Sequence, residues 1–440
     1  MPAPSRTRKI SLAISALVTC ALTAGCSSMP KMSDITLDAM NPFTTKDPEQ
    51  SINAAIERTR TLFVPDSRLQ LFDVKTQACA GSEIRVEGIS TNSSAANYLC
   101  REITNMYPDA FCRIEVVPLS DENTAKHWGL VQVPVATLNS KPNYAASPVT
   151  QAVAGTPVRI LETRGWLRVQ TPDGYIAWAH RSQIKPMAAQ ELGRWNSDKK
   201  LVVTSLEARA YDANGQEISL LPATSHVKNL GQVGSRFKVM LPNGTVGFMH
   251  SDDLEPLDKF REQQRQTRLH APDTFRLNIV QTAKRLAGRS YQWAGTSSLS
   301  MDCSGFVQTV WKMHDVIVMR DADQLSGTGV RSDLSQARPA DLLVFGTRAD
   351  NERPAAVSHV GISLGQRDFV HALGDVHTAS LSKTSADYDA YEANRFLEVR
   401  SFDVTDFGDV CFRSTATHGF YQNPPRIEAS CQPHRHKPLQ

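Results

Sequence analysis

The stretch Tyr291-Gln-Trp-Ala-Gly-Thr-Ser-Ser-Leu-Ser-Met-Asp302-Cys303-Ser304-Gly305-Phe306 passes from a polar Gly/Ser loop into an apolar pattern. Phe306, Val307, Val310 and Trp311 follow at helical spacing, which predicts a helix beginning close to Cys303. A helix N-terminus carries roughly half a positive charge, which favours the thiolate, the nucleophilic form of cysteine. Asp302 opposes that effect, so the reading requires an ion-pair partner. A merely structural cysteine would lie in an apolar stretch, not between Asp302 and Ser304.

The partner for a thiol nucleophile is a histidine within hydrogen-bond reach. Among 12 histidines, two stand in strand context. In Ser358-His359-Val360-Gly361-Ile362-Ser363-Leu364, the residues Val360, Ile362 and Leu364 share one face, so His359 projects from the other. After a Gly-Gln-Arg-Asp connection, Asp368-Phe369-Val370-His371-Ala372 reads as the next antiparallel strand. His359 then serves as general base and His371 orients its imidazole.

Outward from this region, helical periodicity after Pro272 places Phe275, Ile279, Val280, Ala283 and Leu286 on one face, with Asp273 as N-cap and Gly288 as stop. This helix opens a last domain at 271–402, followed by a loop-like tail at 403–440. Upstream lies an internal repeat. Thr171-Pro-Asp-Gly-Tyr-Ile-Ala-Trp-Ala-His180 recurs as Leu241-Pro-Asn-Gly-Thr-Val-Gly-Phe-Met-His250, and Leu167-Arg-Val169 recurs as Phe237-Lys-Val239. Each copy is a strand, a turn and a strand. The copies delimit small β units at 128–190 and 195–258. Residues 51–127 read as a small α+β unit, with strands at Ile84–Ile89 and Ile114–Val117 and a helix from Ser93 towards Tyr107. No chemical constellation stands out in that unit, so it is taken as structural.

The chain has 440 residues, 41% hydrophobic and 21% charged, values that exclude wholesale disorder and predict two to four domains. Its one uninterrupted apolar stretch lies near the N-terminus, after Arg6, Arg8 and Lys9, which excludes a polytopic membrane protein. Residues 1–25 read as a secretory signal. Without them 45 basic residues balance 45 acidic ones, leaving no electrostatic case for nucleic acid. Leu22-Thr23-Ala24-Gly25-Cys26-Ser27 resembles the lipobox of bacterial lipoproteins, with Thr23 where leucine is usual. That resemblance implies lipidation at Cys26, attachment to a membrane, and, from Ser27, an outer-membrane location facing the periplasm. Residues 26–50 form the tether. In an exported chain Cys411 and Cys431 can pair, as can two of Cys79, Cys100 and Cys112. His434 and His436 on a polar tail read as solvated, and there is no metal or nucleotide motif. No cofactor is expected.

Tyr-x-Trp-x-Gly, Met-Asp-Cys-Ser-Gly-Phe, Arg320-Asp321-Ala322, Asp341-Leu-Leu-Val-Phe345, Ser-His-Val-Gly-Ile and Val-His-Ala occur in that order. Together they resemble the NlpC/P60 family of cell-wall cysteine peptidases. The fold implied is α+β: a papain-like catalytic domain preceded by two SH3-like β-barrels and the N-terminal unit. The resemblance implies cleavage between γ-D-glutamate and the following diamino acid, diaminopimelate or lysine, of peptidoglycan stem peptides. It places the nucleophile on Cys303, the base on His359 and the third member on His371. Tyr291 matches a tyrosine beside the nucleophile that assists the oxyanion, and the Cys303 N–H is a second donor. Asp321 matches an acidic residue contacting the free amine of the terminal L-Ala, while Ser304, Asp302 and Tyr175 are further substrate-side candidates. The family's second Trp-Gly-Gly glycine is Ala294, its Gly-Asp-Leu glycine is Ala340, and Met319 replaces a proline. Pro148 stands where the first barrel usually carries an acidic residue, which implies weaker discrimination in favour of free tripeptides over glycan-attached stems. Two other readings remain: a non-catalytic wall-binding lipoprotein whose cleft is covered by the 51–127 unit, and a thiol amidase acting on another γ-glutamyl or protein substrate.

Overall fold

Helix α1 spans Pro48–Phe63, with Pro48 and Glu49 in its first turn, where a missing N–H and a negative charge are both tolerated. It therefore begins inside the segment expected to be tether. The computed structural model describes residues 47–80, 83–117, 126–406, 411–427 and 431. The signal, Cys26, His434 and His436 lie outside them. Strands β1 (Phe72–Ala80) and β2 (Glu83–Ser90) pair antiparallel. Helix α2 (Ser93–Met106) then crosses over to β3 (Phe111–Val116), which is parallel to β2. Asn92 caps α2 by accepting from the Ala95 N–H at 3.0 Å. The Cys100–Cys112 disulfide ties α2 to β3.

Two seven-stranded antiparallel sheets follow. The first contains β4 (Trp128–Val131), β5 (Val135–Asn139), β6 (Pro148–Val153), β7 (Pro157–Arg164), β8 (Trp166–Gln170), β9 (Ile176–His180) and β10 (Ile184–Met187), in the order β10-β4-β7-β8-β9-β5-β6. After α3 (Ala189–Ser197), the second contains β11 (Lys200–Val203), β12 (Glu207–Tyr211), β13 (Glu217–Pro222), β14 (His226–Val233), β15 (Arg236–Met240), β16 (Val246–His250) and β17 (Leu254–Pro256). Its order, β17-β11-β14-β15-β16-β12-β13, repeats the first strand for strand. The sequence repeat falls on β8–β9 and β15–β16. Its turns are built alike: Gly174 and Gly244, at φ of 86° and 94°, adopt a conformation that a side chain would strain. Each sheet closes on its own apolar core, one around Leu138, Val158 and Val169, the other around Leu201, Val227 and Val239.

Helix α4 (Leu257–His270) leads to α5 (Pro272–Arg285). The α5 N-cap is Ala271, with Pro272 as the first helical residue, so Asp273 lies in the first turn and is not the cap. Phe275, Ile279, Val280 and Ala283 are buried as their spacing requires. A short hairpin, β18 (Thr296–Ser297) and β19 (Ser300–Met301), precedes α6 (Cys303–Lys312), β20 (Val316–Ile317) and α7 (Ala322–Ser326). The remaining strands β21 (Val330–Ser332), β22 (Leu342–Thr347), β23 (Ala356–Gly365), β24 (Asp368–Leu373), β25 (Asp375–Ser380) and β26 (Phe396–Ser401) form a sheet ordered β21-β26-β22-β23-β24-β25, with α8 (Ala390–Arg395) before β26. One face, carrying Val360, Ile362, Val370 and Ala372, packs against Phe306, Val307, Val310 and Trp311 of α6. The other carries Leu343, Phe345, Phe369 and Val399. His359 and His371 belong to this second face, their rings 5.7 Å from Phe345 and 4.9 Å from Phe369.

The segment after 403 is not a loose tail in its described part. β27 (Arg413–Ser414) pairs with β20, Cys411 bonds Cys431, and Phe412, Phe420 and Tyr421 are buried. Phe420 packs edge-on against Trp128 at 5.0 Å. Burial of three aromatic rings is sufficient reason for the segment to be held down.

Candidate active site

The first turn of α6 is fixed by a buried ionic clamp. Asp302 is the N-cap and accepts from the Gly305 N–H at 2.7 Å. Its other oxygen accepts from the Ala294 N–H at 3.0 Å. Arg320, 2% exposed, grips both Asp302 oxygens at 3.1 and 2.6 Å. The same guanidinium donates to Ser304 Oγ at 2.8 Å and to Thr150 Oγ1 of the first sheet at 3.0 Å. A bidentate Arg–carboxylate pair combines charge with fixed geometry. Asp302 and Ser304 therefore spend their polar atoms on Arg320 and the helix start, not on an open cleft. The Ala294 substitution is closer to the chemistry than the sequence implied, because its N–H holds the cap.

The Cys303 thiol lies at this helix start, 8% exposed, with the N–H groups of Ser304 and Val360 directed at it. Burial, followed by the Asp302 charge, pushes the thiol up to about 11 against those two amides and Arg320. The expected lowering by the helix N-terminus is thus outweighed by desolvation. Val360 follows His359 in the chain, so the amide facing the thiol is one residue from the imidazole. Among the described residues no hydrogen bond joins Cys303 to His359 itself.

His359 and His371 are brought together by register. Gly361 pairs with His371, so His359 and His371 are diagonal neighbours on one face. A Cβ at Gly361 would approach His371 Cβ to 3.2 Å and Phe369 to 2.9 Å, so glycine leaves the rings their room. His359 Nε2 lies 2.8 Å from His371 Nδ1, and His371 Nε2 lies 3.0 Å from His377 Nε2. His377 Nδ1 lies 2.9 Å from Asp375 Oδ1. A carboxylate only accepts, so the proton sits on His377 Nδ1. In the arrangement where His377 carries its single proton on Nδ1, His371 donates from Nε2 to His377 and His359 donates from Nε2 to His371. The chain of bonds leaves the lone pair of His359 on Nδ1, the tautomer a base must present. Burial, with His371 next, lowers His359 to about 3, and burial, with His377 next, lowers His371 to about 4. Thiol and imidazoles are accordingly neutral near pH 7.

Glu392, fully buried, lies 3.8 Å from His359 Nε2 and is held by Arg395 at 2.8 Å. Burial lifts it to about 7. His359, His371 and Glu392 have ligand atoms within 4.8 Å of one another. The 2.8 Å between the two imidazole nitrogens is nevertheless a hydrogen-bond spacing. Two nitrogens each about 2.0 Å from a tetrahedral zinc stand farther apart.

On the other side of Cys303 the site is ionic. Tyr291 is half-buried and pushed up to about 12 by burial and by the neighbouring Cys303. Tyr175, buried in the turn before β9, hydrogen-bonds Asp321. Burial raises the Asp321 carboxyl against the pull of Arg320 and Arg68. Arg68 comes from the N-terminal unit and donates to Asp321 Oδ2 at 2.8 Å. It also bonds Asp323 at 2.9 and 2.7 Å and Asp66 at 2.9 and 2.8 Å. Gln324 adds a bond to Asp66 at 2.8 Å. Leu69 joins the core that contains Cys303. The unit read as merely structural therefore reaches the site. Sequence reading missed Arg68, Asp323, His377 and Glu392. Only His377 had a usable signal: Gly374, at φ 77°, marks a tight turn that lays β25 beside His371.

A buried thiol at a helix start and a pair of hydrogen-bonded imidazoles on the adjoining sheet of an α+β fold are features of a cysteine peptidase. Residues 288–400 match the model of the NlpC/P60 family, and residues 138–184 match the bacterial dipeptidyl-peptidase Sh3 domain. The chain carries an NlpC/P60 domain together with a bacterial SH3 domain. A γ-D-glutamyl-L-lysine dipeptidyl-peptidase of Bacillus cereus is 27% identical over 234 residues, 51% of this chain and 66% of that relative. Dipeptidyl-peptidase 6 of Lysinibacillus sphaericus is 26% identical over 260 residues, 54% of this chain and 84% of its own length. The crystal structure of an NlpC/P60 family protein from Bacillus cereus covers 62% of this chain and 99% of its own, with a TM-score of 0.53 at 20% identity. No helix among the described residues is long and apolar enough to cross a membrane.

Proposed function

We propose that the chain hydrolyses peptidoglycan stem peptides at the amide between γ-D-glutamate and the following diamino acid. The observation carrying this reading is the buried thiol of Cys303, which faces the N–H of Val360, the residue directly after His359, the first member of a histidine chain that runs to Asp375. Cys303 Sγ attacks the γ-carbonyl carbon while its proton passes to Nδ1 of His359. Because thiol and imidazole are both neutral at rest, proton transfer accompanies attack. His371 accepts from His359 Nε2 and steadies the imidazolium, and the buried Glu392 offsets its charge. The Cys303 N–H and the Tyr291 hydroxyl stabilise the oxyanion. Collapse breaks the C–N bond, and His359 returns the proton to the leaving amine, which leaves a thioester. His359 then deprotonates water, which releases the γ-D-glutamyl product and restores the thiol. Asp302, Arg320 and Ser304 position the nucleophile, while Tyr175 and Asp321 face the substrate's N-terminal side.

The second seven-stranded sheet is read as a second SH3-like barrel, supported by its identical strand order. Lipidation of Cys26 and an outer-membrane position facing the periplasm complete the reading. Mass spectrometry of fragments released from stem peptides of defined sequence tests the activity. The expected product ends in γ-D-glutamate and is absent with Cys303→Ala. Equal release by that variant removes the enzyme reading and leaves a wall-binding lipoprotein.

A further inference from the structure

Arg68 is unusually well satisfied. Its five guanidinium N–H groups find five carboxylate contacts: Nε and Nη2 on Asp66, Nη1 and Nη2 on Asp323, and Nη1 on Asp321. Two of these carboxylates are paired by an intact fork, the arrangement a guanidinium makes and an ammonium cannot. Its backbone is pinned as well. The Arg68 carbonyl accepts from the Ile176 N–H at 2.7 Å, in the strand after Tyr175, and the Leu69 carbonyl accepts from Gln170 Nε2 at 3.3 Å. The arginine is thus seated on the first sheet and aimed at α7.

The carboxylate it covers is next to the nucleophile's own clamp. Asp321 follows Arg320, which holds Ser304 and Asp302 on either side of Cys303. Asp321 also bonds the buried Tyr175. The place beside Cys303 with a carboxylate and a phenol arranged for a cation is therefore filled by a cation of this chain. A free ammonium brought there would meet Arg68 at close range and find the Asp321 oxygen already engaged. An amide nitrogen carries no charge and meets no such repulsion.

We propose that Arg68 is a specificity-determining residue: it closes the subsite beside Cys303 to a free α-ammonium and so directs the enzyme to stems whose terminal nitrogen is acylated, as in stems still joined to glycan. The inference rests on the stem-peptide activity proposed above. It would make the chain an endopeptidase of intact wall rather than a peptidase of free N-termini.

The test compares L-Ala-γ-D-Glu-diaminopimelate with its N-acetyl derivative, reading kcat/KM from released diaminopimelate. The full chain is expected to favour the acetylated peptide. Arg68→Met should raise kcat/KM for the free-amine peptide by roughly tenfold, the worth of one charged hydrogen bond, with little change for the acetylated one. Arg68→Lys, which keeps the charge, should restore most of the preference, and this rescue separates selectivity from a folding defect. Preference of the full chain for the free amine, or a ratio of the two substrates unmoved by Arg68→Met, overturns the inference. So does an equal rise for both peptides, which would make Arg68 a plug. Failure of the full chain to cleave either peptide would instead overturn the proposed activity, and the inference with it.

Discussion

The two seven-stranded sheets have the same strand order and the same hairpin turn, yet they stand in different relations to the site. In the first, the turn Thr171–Tyr175 ends in a buried tyrosine bonded to Asp321, and Asp173 accepts from Gln308 of α6 at 2.8 Å. In the second, the matching residues Asn243 and Thr245 are exposed. The edge of the first sheet supplies Thr150 to Arg320, the Pro148 carbonyl to Trp293 at 3.2 Å, and Gln151 to Thr296. The second meets the NlpC/P60 domain largely through backbone, with one long ion pair: Ser298 bonds the Leu206 carbonyl and receives the Ala223 N–H, and Glu207 lies 4.0 Å from Arg289. One backbone plan thus lends side chains to the surroundings of Cys303 in one copy and acts as a support in the other, and the difference lies in a few side chains.

The sharpest test of that division is to delete the chemistry and keep both sheets. Cys303→Ala should lower peptide release at least about a thousandfold while binding to purified peptidoglycan is retained. Loss of binding as well would mean that the sheets alone do not hold the wall. The next largest effect concerns four buried histidines, two of them the proposed base and its partner. Burial holds His314, His371 and His418 near 4 and His359 near 3. Unfolded histidines titrate near 6.5, so below that pH the unfolded chain binds protons that the folded chain refuses. Stability should be full above about pH 6.5 and fall by several kcal/mol between there and pH 4, as followed by thermal melts across that range. A flat profile would mean that these rings are hydrated.

A smaller effect compares the sheets directly. Tyr175→Phe removes the phenol's hydrogen bond to Asp321 and should lower kcat/KM by roughly tenfold. Thr245→Val, at the matching turn of the second sheet, should change it less than about twofold. Similar losses would erase the distinction drawn here. Asp375→Ala probes the far end of the histidine chain. By releasing the tautomer of His377 it should lower kcat severalfold with KM and the thermal midpoint unchanged; a lowered midpoint would point to a folding defect instead.

Much of the cleft was legible because its signals are local. Period 3.6 placed a helix start close to Cys303, and period two put His359 and His371 on neighbouring strands. The aromatic residues that bury the C-terminal segment were visible but read as loop, because no periodicity accompanies them. Arg68 and its bond to Asp321 were beyond reach for another reason: the bond spans 253 positions and joins two units that no pattern connects. The raised thiol was illegible too. A helix terminus can be read from sequence, whereas the burial that outweighs it is a property of the packed whole.

The smallest expected effect returns to the turn that both sheets share. There the left-handed conformation falls on Gly174 and Gly244, which lack the Cβ that makes it costly. In the NlpC/P60 domain two alanines stand in the same region, Ala294 at φ 65° and Ala340 at φ 70°. An L-residue there costs about 1–2 kcal/mol relative to glycine. Glycine returns about 0.4–1 kcal/mol of that to the more flexible unfolded chain. Ala294→Gly and Ala340→Gly should therefore each stabilise by about 0.5 kcal/mol, visible in denaturant midpoints as a small rise with unchanged m-value. Both methyl groups are buried, so the opposite result has a physical meaning. A fall in midpoint would show that the contacts of that methyl outweigh its strain, and that alanine serves these two turns as glycine serves the other two.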